Sequence, residues 1–367
     1  MDGLQLATVS TPIRLVEPAN AKEVWSYRSP AWKSPTLYVT VLLIWVASLL
    51  WFHPRMWSLT SIGDTWWSAA SIAYFVLFAE FAWLYGIYNV AIVAFAAMYR
   101  FGGRHEFLTT LEAAPHSRSC TPVAVLYTTC NDFVEESAIS CVNLNYPNYA
   151  VYILDDSSDP EIKKRVDAFA AAHSGRVTVV RRPSRSGAKA GNLNHALGEV
   201  VAEPLFAVVD ADEILPANFL ERLVPRLEAD AGCGFVQANH RARKRPHTQL
   251  AQDMGIGIDI HWKWYQPLRN KYGFVMFLGH GALIRRSAWA VVGGFPEIVS
   301  EDLAFAIALR ERGYHGFFAE DVICEEEFPE SVRIFRVRHV KWTRGTCEFL
   351  LKWGLRLCRG RKITFAE

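Results

Sequence analysis

The sequence predicts an α/β protein: a doubly wound, mostly parallel sheet in a cytoplasmic domain, with an N-terminal two-helix transmembrane hairpin and a C-terminal amphipathic interfacial helix. Three observations predict it. Short apolar runs ending in polar clusters alternate with helical patterns from Val123 to Asp212, the β-α-β order that builds parallel sheets covered on both faces. Two long apolar stretches lie before Arg100, each compatible with crossing a bilayer. From Thr346 to Arg361, Phe349, Leu350, Trp353 and Leu357 alternate with Lys352, Arg356, Arg359 and Arg361, a pattern that suits an anionic membrane surface as well as an ordinary surface helix. The boundaries that follow are a cytoplasmic tail over 1–35, the hairpin over 36–100, the α/β domain over 101–345 and the interfacial helix over 346–367.

Composition narrows the class. The net charge of +2 offers no basic excess to a phosphate backbone, so no nucleic acid is expected as partner. The seven cysteines are an odd number without a C-x-x-C pair, which fits buried thiols in a reducing compartment better than disulfides or zinc.

The elements follow in order. The tail carries Arg14, Lys22, Arg28 and Lys33 without a cleavable-signal pattern. Leu37–Phe52 is free of charge and is closed by His53-Pro54-Arg55. Trp66–Tyr99 contains one acid, Glu80, and is too short for two spans and a turn, so one long helix is expected. Glu80 either lines a polar path or bonds the neighbouring helix. Basic residues flank the outer ends of the pair, Arg100 and Arg104 on the far side, and the intervening loop holds only Arg55. That bias places both ends in the cytoplasm, in a multi-pass protein of the cell membrane.

Val123–Thr129 reads as a strand, followed by a helix that opens with Glu135 and Glu136. Val151–Leu154 is a second strand ending in Asp155-Asp156, Glu161–His173 a helix, and Arg176–Arg181 a third strand. Ser186–Asn194 reads as a glycine-containing loop before a helix near His195. The strand Leu205–Val209 then ends in Asp210-Ala211-Asp212, and Gly232–His240 is a further strand. Trp262 falls among aromatics at core-like spacing. Ser300, with Glu301 and Asp302 behind it, has the pattern of a helix cap and first turn.

Several clusters fall at strand ends, where open α/β sheets bind ligands. Asp210 and Asp212 form a hard-oxygen pair suited to Mg²⁺ or Mn²⁺, a metal that usually completes its shell with substrate phosphates. Asp155-Asp156 is either a turn cap or a carboxylate contact to a nucleotide. Lys189, set between small residues, suits a phosphate. Asp302, held ionised by a helix terminus and a bound cation, suits a general base. Arg338 and Lys341, about one helical turn apart beside Trp342, suit a diphosphate clamp with an aromatic platform.

In this order the motifs resemble processive, membrane-embedded family 2 glycosyltransferases (cellulose, hyaluronan and chitin synthases), most of all cellulose synthase catalytic subunits. The resemblance covers roughly residues 36–358. It rests on Asp156, Asp210-Ala211-Asp212, Ser300-Glu301-Asp302, Arg338-His339-Val340-Lys341-Trp342, the loop Ala188–Asn194, Val236–His240 and Met276–His280. It implies a GT-A fold and inverting, metal-dependent transfer from a nucleoside-diphosphate sugar, usually UDP-linked, to a growing β-linked polysaccharide at the cytoplasmic membrane face.

By the same resemblance Thr129 and Asp156, with Asp155 beside it, hold the nucleotide. Lys189, Arg338 and Lys341 meet the diphosphate. Asp210 helps bind nucleotide and metal, and Asp212 ligates the metal. Asp302 is the base, and Trp342, His280 and Glu301 face the acceptor. Cys130 replaces a tyrosine that stacks on uracil, Lys341 replaces an arginine and loses its bidentate fork, and Leu278-Gly279-His280 replaces the acceptor-end signature. No segment after Arg361 is long enough to span a membrane, so the family's further channel helices are expected from another subunit or from C-terminal helices that a truncated chain lacks. Two other readings stand beside this one: a non-processive transferase acting on a lipid-phosphate acceptor, and a non-catalytic membrane scaffold.

Overall fold

The computed structural model describes residues 33–102, 120–243, 248–359 and 363. The tail up to residue 32, Arg104 and Arg361, and the side chains of Leu357 and Arg359, lie outside the described residues.

Helix α1, Thr36–Trp57, turns through a 3₁₀ segment, Ser58–Ile62, into α2, Trp66–Phe101. The α1 helix runs past the expected stop at Phe52 and takes in Pro54. A proline removes one amide bond but need not end a helix in its last turn, and Arg55 donates to the Trp51 carbonyl at 2.7 Å there. With 36 residues, α2 is about 54 Å long, well beyond a hydrocarbon core of ~30 Å. Both helices are long and apolar enough to cross a membrane, and Leu43, Leu50, Trp51, Phe75, Phe78 and Phe81 are all exposed on them. That surface makes the protein membrane-associated.

The surplus length of α2 docks on the α/β domain, where Ala91, Ile92, Ala96 and Tyr99 pack with Leu268 and Tyr272. Glu80 bonds the neighbouring helix: its carboxylate meets His53 Nδ1 at 2.6 Å, and its carbonyl accepts from Trp45 Nε1 at 2.9 Å.

The domain continues with β1 (Val123–Thr129), α3 (Glu135–Val142), β2 (Tyr149–Asp155), α4 (Pro160–Ala172), β3 (Val177–Val180), α5 (Ala188–Glu199), β4 (Leu205–Asp210) and β5 (Glu213–Ile214). It is completed by α6 (Phe219–Ala229), β6 (Cys233–Ala242), α7 (Gln249–Ile260), α8 (Gln266–Arg269), β7 (Ala282–Arg285), α9 (Arg286–Val292), α10 (Glu301–Glu311), β8 (His315–Glu326) and α11 (Val332–Arg359). Eight strands form one sheet in the order β3-β2-β1-β4-β7-β6-β8-β5.

The half from β3 to β4 is parallel, as the sequence predicts, but β7 runs antiparallel to both β4 and β6, and β5 antiparallel to β8. The sheet is therefore mixed. Strands β7 and β8 are not apparent in the sequence. The first has four residues, and the second ends in Cys-Glu-Glu, acids that hide its alternation.

Alternating strand residues feed two cores. Val123, Val125 and Tyr127 face α3, α4 and α6. Ala124 and Leu126 share the other face with α5, α9, α10 and Trp262, which is core. Parallel register sets Thr128 beside Asp210 and Thr129 beside Asp155. Because β1 has β2 on one side and β4 on the other, the chain's switch point opens there.

The helix expected to start at Thr346 is the second half of α11, which also carries Arg338, Lys341 and Trp342. Phe349 anchors it against Ala304 and Ile307 of α10, a burial that contributes about 1.5–3 kcal/mol. Leu350 and Leu351 stay exposed, as do Val332, Ile334, Val337 and Val340 nearer its start.

Candidate active site

The site lies at the carboxyl ends of β1, β2 and β4. Lys189 is on the first turn of α5, not on a loop before it. Gly187, at φ +69°, turns the chain into the helix. Gly191 is inside that helix for close packing, since a Cβ there would lie 2.1 Å from the Ser186 carbonyl oxygen. Its role is contact, not flexibility. Lys189 Nζ pairs directly with Asp210 Oδ1 and donates to the Gly279 carbonyl at 3.0 Å. Thr128 Oγ1 reaches the same Asp210 oxygen at 3.1 Å. Burial opposes both charges, but each partner sustains the other: Lys189 is raised and Asp210 lowered from their ordinary values.

Glu301 and Asp302 open α10, with Ser300 at the N-cap position but making no side-chain cap bond. A Cβ built on Gly279 would lie 3.6 Å from Asp302 Oδ2 and 3.9 Å from Lys189 Nζ. Asp302 and Lys189 thus flank one glycine held at φ +91°. Burial raises the Asp302 carboxyl, against the pull of the Leu303 N–H and Lys189. The helix terminus therefore offsets burial and does not outweigh it. Burial also raises Glu301 to about 7, with Lys189 pulling it down and Asp302 pushing it up.

The sign of the Glu301 effect is testable. Its folded value lies above the ordinary 4.5, so the stability of its neutral form is fully present below about pH 4.5 and is lost as pH rises through about 7. Glu301→Gln, which cannot ionise, should gain melting temperature over wild type between pH 5 and pH 8. A gap of constant size across that range would contradict the assignment.

Asp212 is half-buried beyond the end of β4. Burial and the neighbouring Asp210 push it up to about 6, while His280 and Arg338 pull the other way. The adjacent carboxylate disfavours the charge on Asp212, and a divalent cation held by it would relieve that, although Asp210 already shares one oxygen with Lys189. His280 is near enough to favour the charge of both aspartates. Burial disfavours its charge, yet Glu213, Asp210 and Glu326 raise it to about 10. Glu213, wholly buried, is held well below the carboxylate range by His280 and His240 despite its burial.

The other expected residues divide. Asp155 accepts from Ser157 N at 2.9 Å and from Arg181 Nε at 2.7 Å. Asp156 and Arg182 form a buried two-bond fork at 2.9 and 2.7 Å. Thr129 Oγ1 donates to Asp132 at 2.9 Å. Thr129, Asp155 and Asp156 all lie at the carboxyl ends of β1 and β2, buried and already engaged by neighbouring side chains or backbone. Arg338 stacks on Trp342 at 4.6 Å, so one face of that ring is shared with the guanidinium. Lys341 is exposed on α11 and is not drawn into the cluster. Arg182 and Glu213 were not singled out from the sequence, and Thr128, Arg181, His240 and Glu326 stood there only within longer stretches, without a role of their own. The arginines follow β3 directly and would have been found by applying the strand-end rule there as well.

A switch-point crevice holding a lysine, an aspartate pair and a helix-start carboxylate defines a GT-A glycosyltransferase. The sequence profile described as Glycosyltransferase like family 2 matches residues 130–345, more than half of the chain, and the chain belongs to that family. It is 29% identical over 230 residues to Glucomannan 4-beta-mannosyltransferase 1 of Oryza sativa subsp. japonica, covering 60% of this chain and 44% of the relative. It is 26% identical over 342 residues to a cellulose synthase-like protein of Komagataeibacter xylinus, covering 87% of this chain and 22% of the relative. The chain thus spans less than half the length of these curated relatives. Among solved structures it is similar to the mannosyltransferase PcManGT of Pyrobaculum calidifontis in complex with GDP-Man and Mn²⁺, with a TM-score of 0.51 and 23% identity over 71% of this chain and 76% of that one. That likeness concerns the fold.

Proposed function

We propose that the protein transfers a sugar, with inversion, from a nucleoside-diphosphate sugar to a growing β-linked polysaccharide at the cytoplasmic face of the cell membrane. The observation that carries this reading is the convergence of Lys189, Asp210 and Asp302 around Gly279. Asp302, as carboxylate, takes the proton of the attacking acceptor hydroxyl as that oxygen bonds the anomeric carbon. The bond from that carbon to the diphosphate oxygen breaks in the same in-line step, so no protein nucleophile is needed. Lys189 and Arg338 bring positive charge to the departing diphosphate, and Lys341 follows if α11 shifts toward the crevice. Thr129, Asp155 and Asp156 hold the nucleoside side, and Trp342, His280 and Glu301 line the acceptor side. Asp212 with Asp210 would hold Mg²⁺ or Mn²⁺, which when bound supplies electrostatic stabilisation of the leaving group.

The test is incubation of membranes carrying the full chain with radiolabelled UDP- and GDP-sugars and Mg²⁺ or Mn²⁺. GDP-mannose belongs in the panel because a relative is named as a mannosyltransferase, and Cys130 lacks the ring that stacks on uracil. Alcohol-insoluble, linkage-specific product is expected. Label in a solvent-extractable lipid would instead support the lipid-acceptor reading, and no label from any donor would support the scaffold.

For the topology, Arg55, in the last turn of α1, is the one Lys or Arg from Leu37 to Tyr99, which predicts that a reporter inserted near Ser61 faces away from one fused after Glu367. Both reporters on one side would rule out the hairpin.

A further inference from the structure

We infer that Glu213 and Glu326 are positioning residues that clasp His280 from both ring nitrogens and so fix the 278–281 backbone, the floor on which Lys189 and Asp302 meet; this rests on the transfer reading above. Glu213 and Glu326 are register partners across the antiparallel β5–β8 pair. Like charges directly opposite each other repel. Here the His280 ring enters between them, its Nδ1 3.3 Å from Glu213 Oε2 and its Nε2 3.7 Å from Glu326 Oε2. The other Glu213 oxygen meets His240 Nε2 at 2.8 Å. His240 is wholly buried, with its ring 4.4 Å from Trp262, so the far side of Glu213 is packed against the core.

The loop is tied at each step. Gln237 Oε1 accepts from Leu278 N at 3.0 Å, and its Nε2 donates to the His280 carbonyl at 2.8 Å. Gly281 N donates to the Val208 carbonyl, and Ala238 N to the Gly281 carbonyl, both at 2.8 Å. Gly281 sits directly on the clasp: a Cβ there would lie 2.2 Å from His240 Nε2 and 2.4 Å from Glu213 Oε1. Between these ties Gly279 presents its carbonyl to Lys189 at 3.0 Å. A buried ionic cluster is a poor source of stability compared with apolar packing. Its position under the loop that joins the strand-end aspartates to the base gives it a use. Glu213, His240 and Cys324 also offer ligand atoms within 4.8 Å of one another, so a metal bound there would compete with the 2.8 Å Glu213–His240 hydrogen bond and with the clasp.

The test uses the full chain in detergent or nanodiscs. In Glu213→Gln, which keeps the shape and removes the charge, amide exchange should quicken over 276–282 and stay unchanged over 149–172. Nucleotide affinity should match wild type while kcat falls by roughly 10²-fold, the size of loss that a small misplacement of reacting groups produces. His280→Asn should quicken the same peptide. The double variant should lose less than the sum of the two single losses, because Glu213 and His280 share one contact although each also has another. Unchanged exchange over 276–282, a rise spread over the whole chain, additive losses in the double variant, or stoichiometric zinc in the purified wild type would each overturn the clasp. If Glu213→Gln fails to accumulate, His280→Asn reads the contact from the other side. If wild type transfers no sugar, the transfer reading fails, while the exchange measurements still decide the clasp.

Discussion

Asp302→Asn is expected to lose about 10²–10⁴-fold in turnover, the usual contribution of a general base, with donor affinity unchanged. A base acts on the proton in the transition state, so its loss appears in kcat far more than in binding. The structure sharpens the expectation. Asp302 sits on the first turn of α10, and its Oδ1 accepts from Leu303 N at 2.7 Å. Its other oxygen lies toward Gly279 and Lys189. Asparagine keeps the first contact and the shape, so stability should change by no more than about 1 kcal/mol. If Asp302 were only a helix-start residue, the variant would lose a little stability and keep its turnover. Nucleotide titration and initial rates on the same membranes separate the two outcomes. Turnover within about threefold of wild type is too small a loss for a missing base, and Glu301 would then be the next candidate.

Removing the metal pair should have a comparable effect by a different route. Asp212→Asn is expected to abolish transfer, a loss of three or more powers of ten if the cation supplies several kcal/mol of leaving-group stabilisation. Asp212 is half-buried beyond the end of β4 and contributes little to either core, so the variant should fold and reach the membrane. Asp210 differs: it is paired with Lys189 and Thr128, and substitution there would disturb the lysine as well as the cation. The paired measurement is wild type in EDTA. It should fall as far as the variant and recover when Mn²⁺ is returned, whereas the variant should not recover. Full activity in EDTA, or a wild-type rate in Asp212→Asn, would remove the metal from the reaction.

Much of the frame was legible in the sequence. The β-branched run Leu205–Val209 and the parallel strands before it declared themselves, because fully buried strands are short, continuously apolar runs that end in polar clusters. Both long apolar helices were legible by their length and near-absence of charge. The aspartates at 155, 156, 210 and 212 could be placed at strand ends because polar residues cannot continue into such a core.

Other features were decided by tertiary structure. Lys189 belongs to a helix because Gly191 packs against the Ser186 backbone, a contact that a linear pattern of glycines cannot distinguish from a flexible loop. The sheet is mixed because the short β7 inserts antiparallel between β4 and β6, and strand direction depends on pairing, which local composition does not encode. Glu213, His240 and His280 are far apart in sequence; the resemblance gave His280 an acceptor role, and nothing in the pattern linked it to the other two. Only the fold closes β5 onto β8, seats an imidazole between two facing acids, and gives those three side chains a shared task. The sequence alone thus determined which residues are apolar enough to be buried and which polar ones must stand at the edges. The pairing of strands decided which of those polar residues meet, because burial is a property of each residue whereas a charge contact is a property of two.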